Sequence, residues 1–220
     1  MTRRIGIILP SSNTVVEPMA ATALGNRDAT AHFSRLGVFD VTLDAASLAQ
    51  FTMRKHLEAA QLLADARVDV LIWGGTSAAW LGIETDLEWC EMISRETGSP
   101  ATTSVLEMNR QLALRSVRRI ALVTPYTADV QSRIIATYRG LDFDVVAEAH
   151  HGGTISNDYA AIAPQVIAAM IRDVATAQPE AILVMCTNMR GAACAREMEA
   201  ETGVWIIDSA PATYDAGLRV

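Results

Sequence analysis

The stretch Ala181-Ile182-Leu183-Val184-Met185-Cys186-Thr187-Asn188 decides the fold of this 220-residue chain. Five consecutive apolar residues are too few for a free-standing helix, and Pro179 stands just before them. The run therefore predicts a strand buried on both faces, as in a parallel sheet. Because ligands gather at the carboxyl ends of strands in open α/β sheets, Cys186 stands where a reactive thiol would be placed. The alternative interpretation of this cysteine is a small buried core residue.

The composition excludes several classes of protein. Half of the residues are hydrophobic, which is ample for a core, but the apolar runs are far too short for a membrane span. The net charge of −7 argues against a nucleic-acid partner. Three widely spaced cysteines fit neither a disulfide framework nor a zinc site, and the amino-terminal segment lacks the features of a signal peptide. We therefore expect a cytoplasmic protein without a metal site.

Strands and helices alternate along the chain, which predicts parallel sheets with helices on their faces. Strands are predicted at residues 4–9, 31–38, 68–73, 101–103, 119–123, 144–148, 181–185 and 204–207. Helices are predicted to end at Leu24 and to cover residues 52–66, 87–97, 104–114, 159–177 and 212–220. Ser104, with Glu107 three residues later, is the candidate cap of the helix over residues 104–114.

The second part of the chain repeats the first. Residues 69–77 match residues 180–188 without a gap, and residues 119–127 echo residues 4–12. Order and spacing are nearly kept between the two parts, which indicates an internal duplication.

We therefore predict an α/β fold with two similar flavodoxin-like halves, residues 1–115 and 116–220. Their parallel sheets would be related by pseudo-two-fold symmetry, with the active site in the cleft between them. The final helix, from about residue 211, is expected to pack on the first half. This arrangement places Gly75-Thr76-Ser77 opposite Cys186-Thr187-Asn188, which favours the functional interpretation of Cys186.

The loop after the first strand is unusually polar. Ser11, Ser12, Asn13 and Thr14 precede a predicted helix, where free backbone N–H groups attract anions. Simple helix capping is one interpretation. Four hydroxyl or amide side chains in a row exceed what a cap needs, so we favour a carboxylate site there. Tyr126, after the fifth predicted strand, should line the same cleft.

The Pro-Ser-Ser-Asn-Thr loop, the Thr-Pro-Tyr sequence after the fifth strand and the late Cys-Thr-Asn resemble the aspartate/glutamate racemase superfamily over nearly the whole chain. Within it, the sequence is most similar to the branch that holds arylmalonate decarboxylase and maleate cis-trans isomerase. Racemases of this superfamily use two cysteines, one in each half. Here the second position is Cys186, but the first is Gly75. A cysteine introduced at Gly75 is therefore expected to complete a two-thiol site.

Arylmalonate decarboxylase shows the same departure, a glycine followed by Thr-Ser and a lone cysteine in the second half. The resemblance implies a small dicarboxylic acid as substrate, no cofactor, and Cys186 as the proton donor to an enediolate. It implies as catalytic residues Cys186, Thr76, Ser77 and Tyr126. We expect the substrate to be bound by Ser11, Ser12, Asn13, Gly75, Asn157, Thr187 and Asn188, with Thr187 contributing through its backbone.

Asn13 and Asn157 favour a different reaction. They match asparagines that bind the substrate carboxylate in maleate isomerases, although the cysteine that attacks the double bond there is absent here and Ser77 is a poor substitute. The sequence thus favours decarboxylation of a substituted malonate first, and isomerisation of a maleate-like acid or racemisation second. Non-catalytic dicarboxylate binding is the third interpretation. The side group of the substrate and the oligomeric state stay open, and a homo-oligomer is compatible with the sequence.

Overall fold

The chain folds into two four-stranded parallel sheets in a computed structural model that describes residues 2–220. The strands are β1 (Arg3–Pro10), β2 (Ala29–Leu36), β3 (Val70–Trp73), β4 (Ala101–Thr103), β5 (Arg119–Thr124), β6 (Asp144–His150), β7 (Ala181–Val184) and β8 (Trp205–Asp208). The strand order is β2-β1-β3-β4 in the first sheet and β6-β5-β7-β8 in the second. The second sheet thus repeats the first, which confirms the predicted α/β fold with two similar halves.

Helices cover both sheets. They are α1 (Val16–Leu24), α2 (Ala45–Leu48), α3 (Met53–Asp65), α4 (Ala78–Leu81), α5 (Ile83–Thr97), α6 (Ser104–Leu114), α7 (Ala128–Gly140), α8 (Pro164–Ala175), α9 (Ala192–Thr202) and α10 (Ser209–Arg219). Two 3-10 helices span Ala49–Phe51 and Ser156–Ala161. Within residues 2–220, no helix is both long enough and apolar enough to cross a membrane.

The apolar runs of the sequence form the central strands. Every residue of β3 and of β7 is buried, because each strand pairs on both edges and carries helices on both faces. The predicted strand at residues 181–185 is confirmed, and it ends at Val184. Cys186 lies in the loop that follows, at the carboxyl edge of the second sheet.

Several predicted boundaries were wrong. Helix α5 begins at Ile83 rather than at residue 87, α10 begins at Ser209 rather than at residue 212, and β3 begins at Val70 rather than at residue 68. The helix expected over residues 159–177 begins at Pro164, which occupies the first turn where proline is tolerated, and the residues before it form a 3-10 helix. The second strand begins and ends two residues earlier than predicted. The cap of α6 is Thr103 rather than Ser104, since the Thr103 hydroxyl accepts a hydrogen bond from the Leu106 N–H at 3.1 Å.

The final helix joins the two halves. It follows β8 of the second sheet, yet it packs against the first: a Cβ at Gly217 would lie 2.5 Å from Ile5 Cγ2, so only glycine fits there. The Tyr214 hydroxyl also donates to the Val16 carbonyl oxygen at 2.7 Å. The chain passes from one sheet to the other between Leu114 and Arg119. A domain boundary at that point stays a prediction.

A buried ion cluster fastens α10 to α6. The Glu107 side chain is fully buried and pairs with Arg110 at 2.6 Å and Arg219 at 2.8 Å, while Gln111 donates to it at 3.1 Å. Burial alone would raise the pKa of Glu107, but the hydrogen bonds from these three side chains outweigh it and hold the pKa below its usual value. Glu107 is therefore charged at neutral pH and contributes stability there.

We predict that Glu107→Gln lowers the free energy of unfolding by about 2 kcal/mol at neutral pH, because two arginines lose their carboxylate. Since the pKa is depressed in the folded state, this contribution is present above the unfolded pKa and is lost as the pH falls. The difference between variant and wild type should therefore shrink in acid. Glu58→Gln, which removes an exposed pair with Arg54, is the control and should change stability little. Equal effects of the two substitutions in urea denaturation would contradict the prediction.

Candidate active site

A small cavity of about 30 Å³ lies where the carboxyl ends of the two sheets face each other. That space holds no more than one or two water molecules, so the cavity is too small for a dicarboxylic acid in this conformation. Seven of the residues predicted to form the site contribute to its wall: Gly75, Thr76, Ser77, Tyr126, Cys186, Thr187 and Asn188.

Cys186 lies in the cavity wall with only 5% of its surface exposed. Its backbone N–H donates to Ser209 Oγ at 3.1 Å, which fixes the loop after β7. Burial raises the pKa of the Cys186 thiol to about 12, against the smaller lowering effects of the Tyr126 hydroxyl and the Asn188 N–H. A thiol of that pKa is protonated at neutral pH. It can donate a proton, and it is a weak nucleophile because the thiolate is the nucleophilic form.

Three hydroxyl groups lie near this thiol. Thr76 Oγ1 and the Tyr126 hydroxyl are hydrogen-bonded at 2.9 Å. Burial foremost, and then the nearby Cys186, raise the pKa of Tyr126 well above its usual value, so the phenol stays neutral. Ser77 Oγ accepts a hydrogen bond from Trp73 Nε1 at 3.1 Å, which leaves the serine proton to donate elsewhere. Neutral hydroxyl donors in a buried space are suited to binding a carboxylate or an enediolate oxygen.

Asn13 lies behind the cavity wall rather than in it. The Asn13 side chain is fully buried and donates from Nδ2 to Thr187 Oγ1 at 3.1 Å. Its Oδ1 accepts from the Val15 and Val16 N–H groups at 3.0 Å each, so it starts α1. In this conformation Asn13 does not line the cavity, and its expected role in binding substrate stays a prediction. Asn13 instead positions Thr187, whose hydroxyl donates to the Gly74 carbonyl at 2.9 Å.

Three other predicted binding residues lie outside the cavity. Ser11 is exposed, and its Oγ accepts from the Val38 N–H at 3.2 Å. Ser12 Oγ donates to Ser156 Oγ at 2.8 Å. Asn157 is exposed and does not contribute to the wall. The reason is the 3-10 helix, which turns residues three apart to the same side and so directs Ser156 and Tyr159 inward.

The loop over residues 37–51 covers the cavity from the first half. It pairs with the second half through Val41 N–H to the Thr154 carbonyl at 2.8 Å and Ser156 N–H to the Phe39 carbonyl at 2.9 Å. Gln50, which is buried, accepts from the Phe39 N–H at 2.6 Å and holds the loop together. Val38 and Val41 of this loop lie in the cavity wall.

The wall of the cavity carries no charged side chain among the described residues. Five aromatic rings form much of it, and the Trp80–Tyr126 and Tyr126–Tyr159 ring centroids lie 5.0 and 5.6 Å apart. A bound carboxylate would therefore meet only neutral donors in a region of low dielectric. A carboxylate that finds no donor there is strongly disfavoured.

Asp208 is a buried acid below the site that sequence reasoning missed. It ends β8, and its Oδ1 accepts from the Ala210 N–H at 2.7 Å to start α10. Burial raises the pKa of Asp208 to about 7, and its charge contributes to the high pKa of Cys186. The final helix was predicted to begin at residue 212, four residues after Asp208, and this hid the capping signal, because it begins at Ser209.

The other cysteines and the histidine pair do not join the cavity. Cys90 and Cys194 lie on α5 and α9, away from its wall. His150 pairs with Glu148 at 2.9 Å. Within residues 2–220, no three His, Cys, Asp or Glu side chains converge as a metal site would require.

Two repeated sheets with a cysteine where their carboxyl ends meet define a protein of the aspartate/glutamate racemase-like class. The family model of arylmalonate decarboxylase matches residues 5–219, and the chain therefore belongs to the arylmalonate decarboxylase family.

Relatives named for two activities share this fold. A maleate isomerase of Pseudomonas putida is 27% identical over 234 residues, which cover 98% of this chain and 90% of the relative. The crystal structure of the maleate isomerase of Pseudomonas putida S16 superposes with a TM-score of 0.90 at 26% identity, covering 98% of this chain and 91% of that one. A liganded variant of arylmalonate decarboxylase, with a glycine changed to cysteine and a cysteine to serine, gives a TM-score of 0.88 at 23% identity, covering 99% and 92%.

We predict that the Cys186 thiol stays protonated well above the ordinary cysteine pKa of about 8.5, because burial raises its pKa to about 12. The measurement is the ultraviolet absorbance of the thiolate during a pH titration, taken as wild type minus Cys186→Ser. The same pair in denaturant is the control and should titrate at the ordinary pH. A native titration at or below neutral pH would contradict a proton-donor role and favour a nucleophile.

Proposed function

We propose that this protein is a cofactor-independent decarboxylase of a substituted malonate, in which Cys186 protonates the enediolate. The observation that carries the proposal is a protonated thiol beside neutral hydroxyl donors, in a cavity with Gly75 at the position of the first racemase cysteine.

One carboxylate of the substrate would bind the hydroxyl groups of Thr76, Ser77 and Tyr126 and the backbone N–H of Thr187. When the bond between the α-carbon and the other carboxylate breaks, CO2 leaves and its bonding electrons remain with the substrate. They spread into the bound carboxylate, which becomes an enediolate. Donors already directed at those oxygens stabilise the new charge more than they stabilise the substrate, which lowers the barrier.

The apolar part of the wall supports the loss of CO2. Val38, Val41 and Phe51 line the cavity and offer no side-chain donor. A carboxylate held against them loses hydration without gaining hydrogen bonds, which disfavours the charged substrate. Neutral CO2 suffers no such penalty, so the same surroundings favour the product of bond cleavage.

Cys186 would complete the reaction. Its Sγ–H bond breaks as the proton passes to the α-carbon, and the thiolate that remains takes a proton from water in the next step. The high pKa of this thiol suits the transfer, because a carbanion-like centre needs only a weak acid.

Isomerisation of a maleate-like acid is the second candidate, favoured by the maleate isomerase that is 27% identical to the chain. That reaction needs a nucleophile to add to the double bond. Gly75 has no side chain, Ser77 lacks a neighbouring base among its hydrogen-bond partners, and Cys186 is protonated. These features make decarboxylation the better proposal.

Proton NMR of the protein with phenylmalonate, methylmalonate and maleate in separate tubes separates the candidates. Conversion of a malonate to the monocarboxylic acid supports the proposal, and conversion of maleate to fumarate alone would replace it with isomerisation. Thermal stabilisation by these acids without turnover would indicate a binding protein.

We predict that Cys186→Ser loses at least about a hundredfold in turnover on the substrate found, the typical effect of a positioned acid. The variant should fold normally, since serine differs by one atom. Cys194→Ser is the matched control: Cys194 is also buried but lies on α9, outside the cavity, so turnover should be unchanged. Near-wild-type turnover in Cys186→Ser, with circular dichroism unchanged, would contradict the mechanism.

We predict that Tyr126→Phe lowers kcat on the order of a hundredfold and raises KM much less, because its hydroxyl bonds most strongly once charge develops. Tyr138→Phe is the control. Tyr138 is equally buried, and its hydroxyl donates to Asn109 Oδ1 at 3.0 Å away from the cavity, so only stability should fall. A rise in KM without loss of kcat in Tyr126→Phe would mean that this hydroxyl binds only the ground state.

A further inference from the structure

The indole of Trp73 covers Gly75. Trp73 is the last residue of β3, and Gly75 stands two residues further on, in the loop that follows. A Cβ built on Gly75 would lie 2.3 Å from Trp73 Cζ2, 2.5 Å from Cε2 and 3.0 Å from Cη2. No side chain fits at Gly75 while this ring stays in place.

The ring is fixed where it lies. Trp73 is 1% exposed, and its Nε1 donates to Ser77 Oγ at 3.1 Å. The His56 ring packs edge-on against it, with 4.6 Å between centroids. Burial lowers the pKa of His56 to about 4, so this neighbour is a neutral ring that packs. Moving the indole would cost a buried hydrogen bond and close packing together.

The second half has the reverse arrangement, with a small side chain at the strand end and a thiol two residues later. Trp73 and Val184 each end the central strand of their sheet, and Gly75 and Cys186 each stand two residues further on. Val184 packs against Gly191, where a Cβ would lie 2.6 Å from Val184 Cγ1. The Cys186 side chain lines the cavity. One half thus pairs a large ring with no side chain, and the other pairs a small side chain with a thiol.

We propose that Trp73 is a specificity-determining residue that fills the place of a first-half proton donor and makes the site one-sided. The chemistry of this inference rests on the proposed function, whereas the exclusion of a side chain at Gly75 does not. This proposal replaces the sequence-based expectation that a cysteine at Gly75 alone completes a two-thiol site, because Trp73 occupies the space that the new side chain needs.

The position of Trp73 determines which face of the enediolate is protonated and how large the substrate groups on its side can be. A planar enediolate between Trp73 and Cys186 receives its proton from the cysteine side only, so a chiral product forms as a single enantiomer. Trp73 also separates the cavity from a second small cavity of about 30 Å³ behind it, lined in part by His56, Asp86 and Trp89. The ring therefore limits the size of substrate groups on that side.

The test introduces the side chains of the second half at the equivalent positions of the first half. Trp73→Val with Gly75→Cys reproduces the pair Val184 and Cys186 in the first half. The set comprises wild type, Gly75→Cys, Trp73→Val, the double variant, and the double variant with Cys186→Ser. Trp73→Leu, which also lacks the ring atoms that face Gly75 but leaves a smaller cavity, is the second background if Trp73→Val fails to fold.

The Tm of thermal unfolding is a measurement that does not depend on catalysis. Gly75→Cys should lower Tm by roughly 5 °C in the presence of Trp73, because it overpacks a buried site. In the Trp73→Val background the same change should lower Tm by less than about 2 °C or raise it, which measures the coupling between the two positions. Equal effects of Gly75→Cys in both backgrounds would overturn the proposal.

Exchange of the α-proton of a substrate analogue is the chemical measurement. Each protein is incubated in D2O with one enantiomer of 2-phenylpropionate, and deuterium uptake and optical purity are followed. In the double variant, the thiolate at one position removes the α-proton, and the S–D group of the other gives its deuteron to the opposite face. The product is the other enantiomer, labelled, with one thiol and one thiolate still present and no change in oxidation state.

We expect racemisation at least about tenfold faster in the double variant than in Gly75→Cys or Trp73→Val, and none above background once Cys186→Ser is added. Fast racemisation by Gly75→Cys alone would overturn the proposal, and so would its absence in a folded double variant when wild type decarboxylates a malonate. If wild type decarboxylates nothing while the Tm coupling is found, the proposed function fails and the exclusion of a side chain by Trp73 stands.

Discussion

The site depends on one buried hydroxyl, that of Thr187. It donates to the Gly74 carbonyl after β3 and accepts from Asn13 after β1, so a single side chain of the second half holds two loops of the first. Both partners are out of contact with water, and a lost bond would leave buried polar groups unpaired at about 1–3 kcal/mol each. This contact keeps Gly75 and Cys186 in the wall of the same cavity. The Thr187 hydroxyl is consequently saturated by protein groups, and only its backbone is left for a ligand.

Burial has two effects in this cavity that support the same chemistry. It keeps the Cys186 thiol and the Tyr126 phenol protonated, so both act as hydrogen donors. It also strengthens each hydrogen bond from such a donor, because little water competes with it. An arginine in the wall would bind a dicarboxylate more tightly but would stabilise the substrate as much as the transition state. For the proposed malonate, neutral donors on one side and apolar groups on the other would distinguish its two carboxylates.

The sequence predicted what depends on patterns and missed what depends on side-chain direction in loops. The apolar runs that became β3 and β7, and the matched segments of the two halves, were enough for the α/β fold. Asn13 and Asn157 show the limit: the sequence grouped both with the cavity residues, yet one lies behind the wall and the other is exposed, and a role for either in substrate binding stays a prediction. A loop residue turns inward or outward according to one backbone turn, such as the 3-10 helix that carries Asn157, and composition does not encode that turn.

Because the two halves are equivalent, the absence of a thiol at Gly75 is a matter of packing as well as of chemistry. Two equivalent strand ends offer two positions for a proton donor, but each position shares its space with the residue two places before it. In a close-packed interior, that space holds either a large side chain before a glycine or a small one before a thiol. This molecule contains both arrangements: Trp73 with Gly75 in the first half, and Val184 with Cys186 in the second. On this proposal, a change between one-sided and two-sided chemistry in this protein requires two substitutions together, because either one alone leaves an overpacked or an empty site.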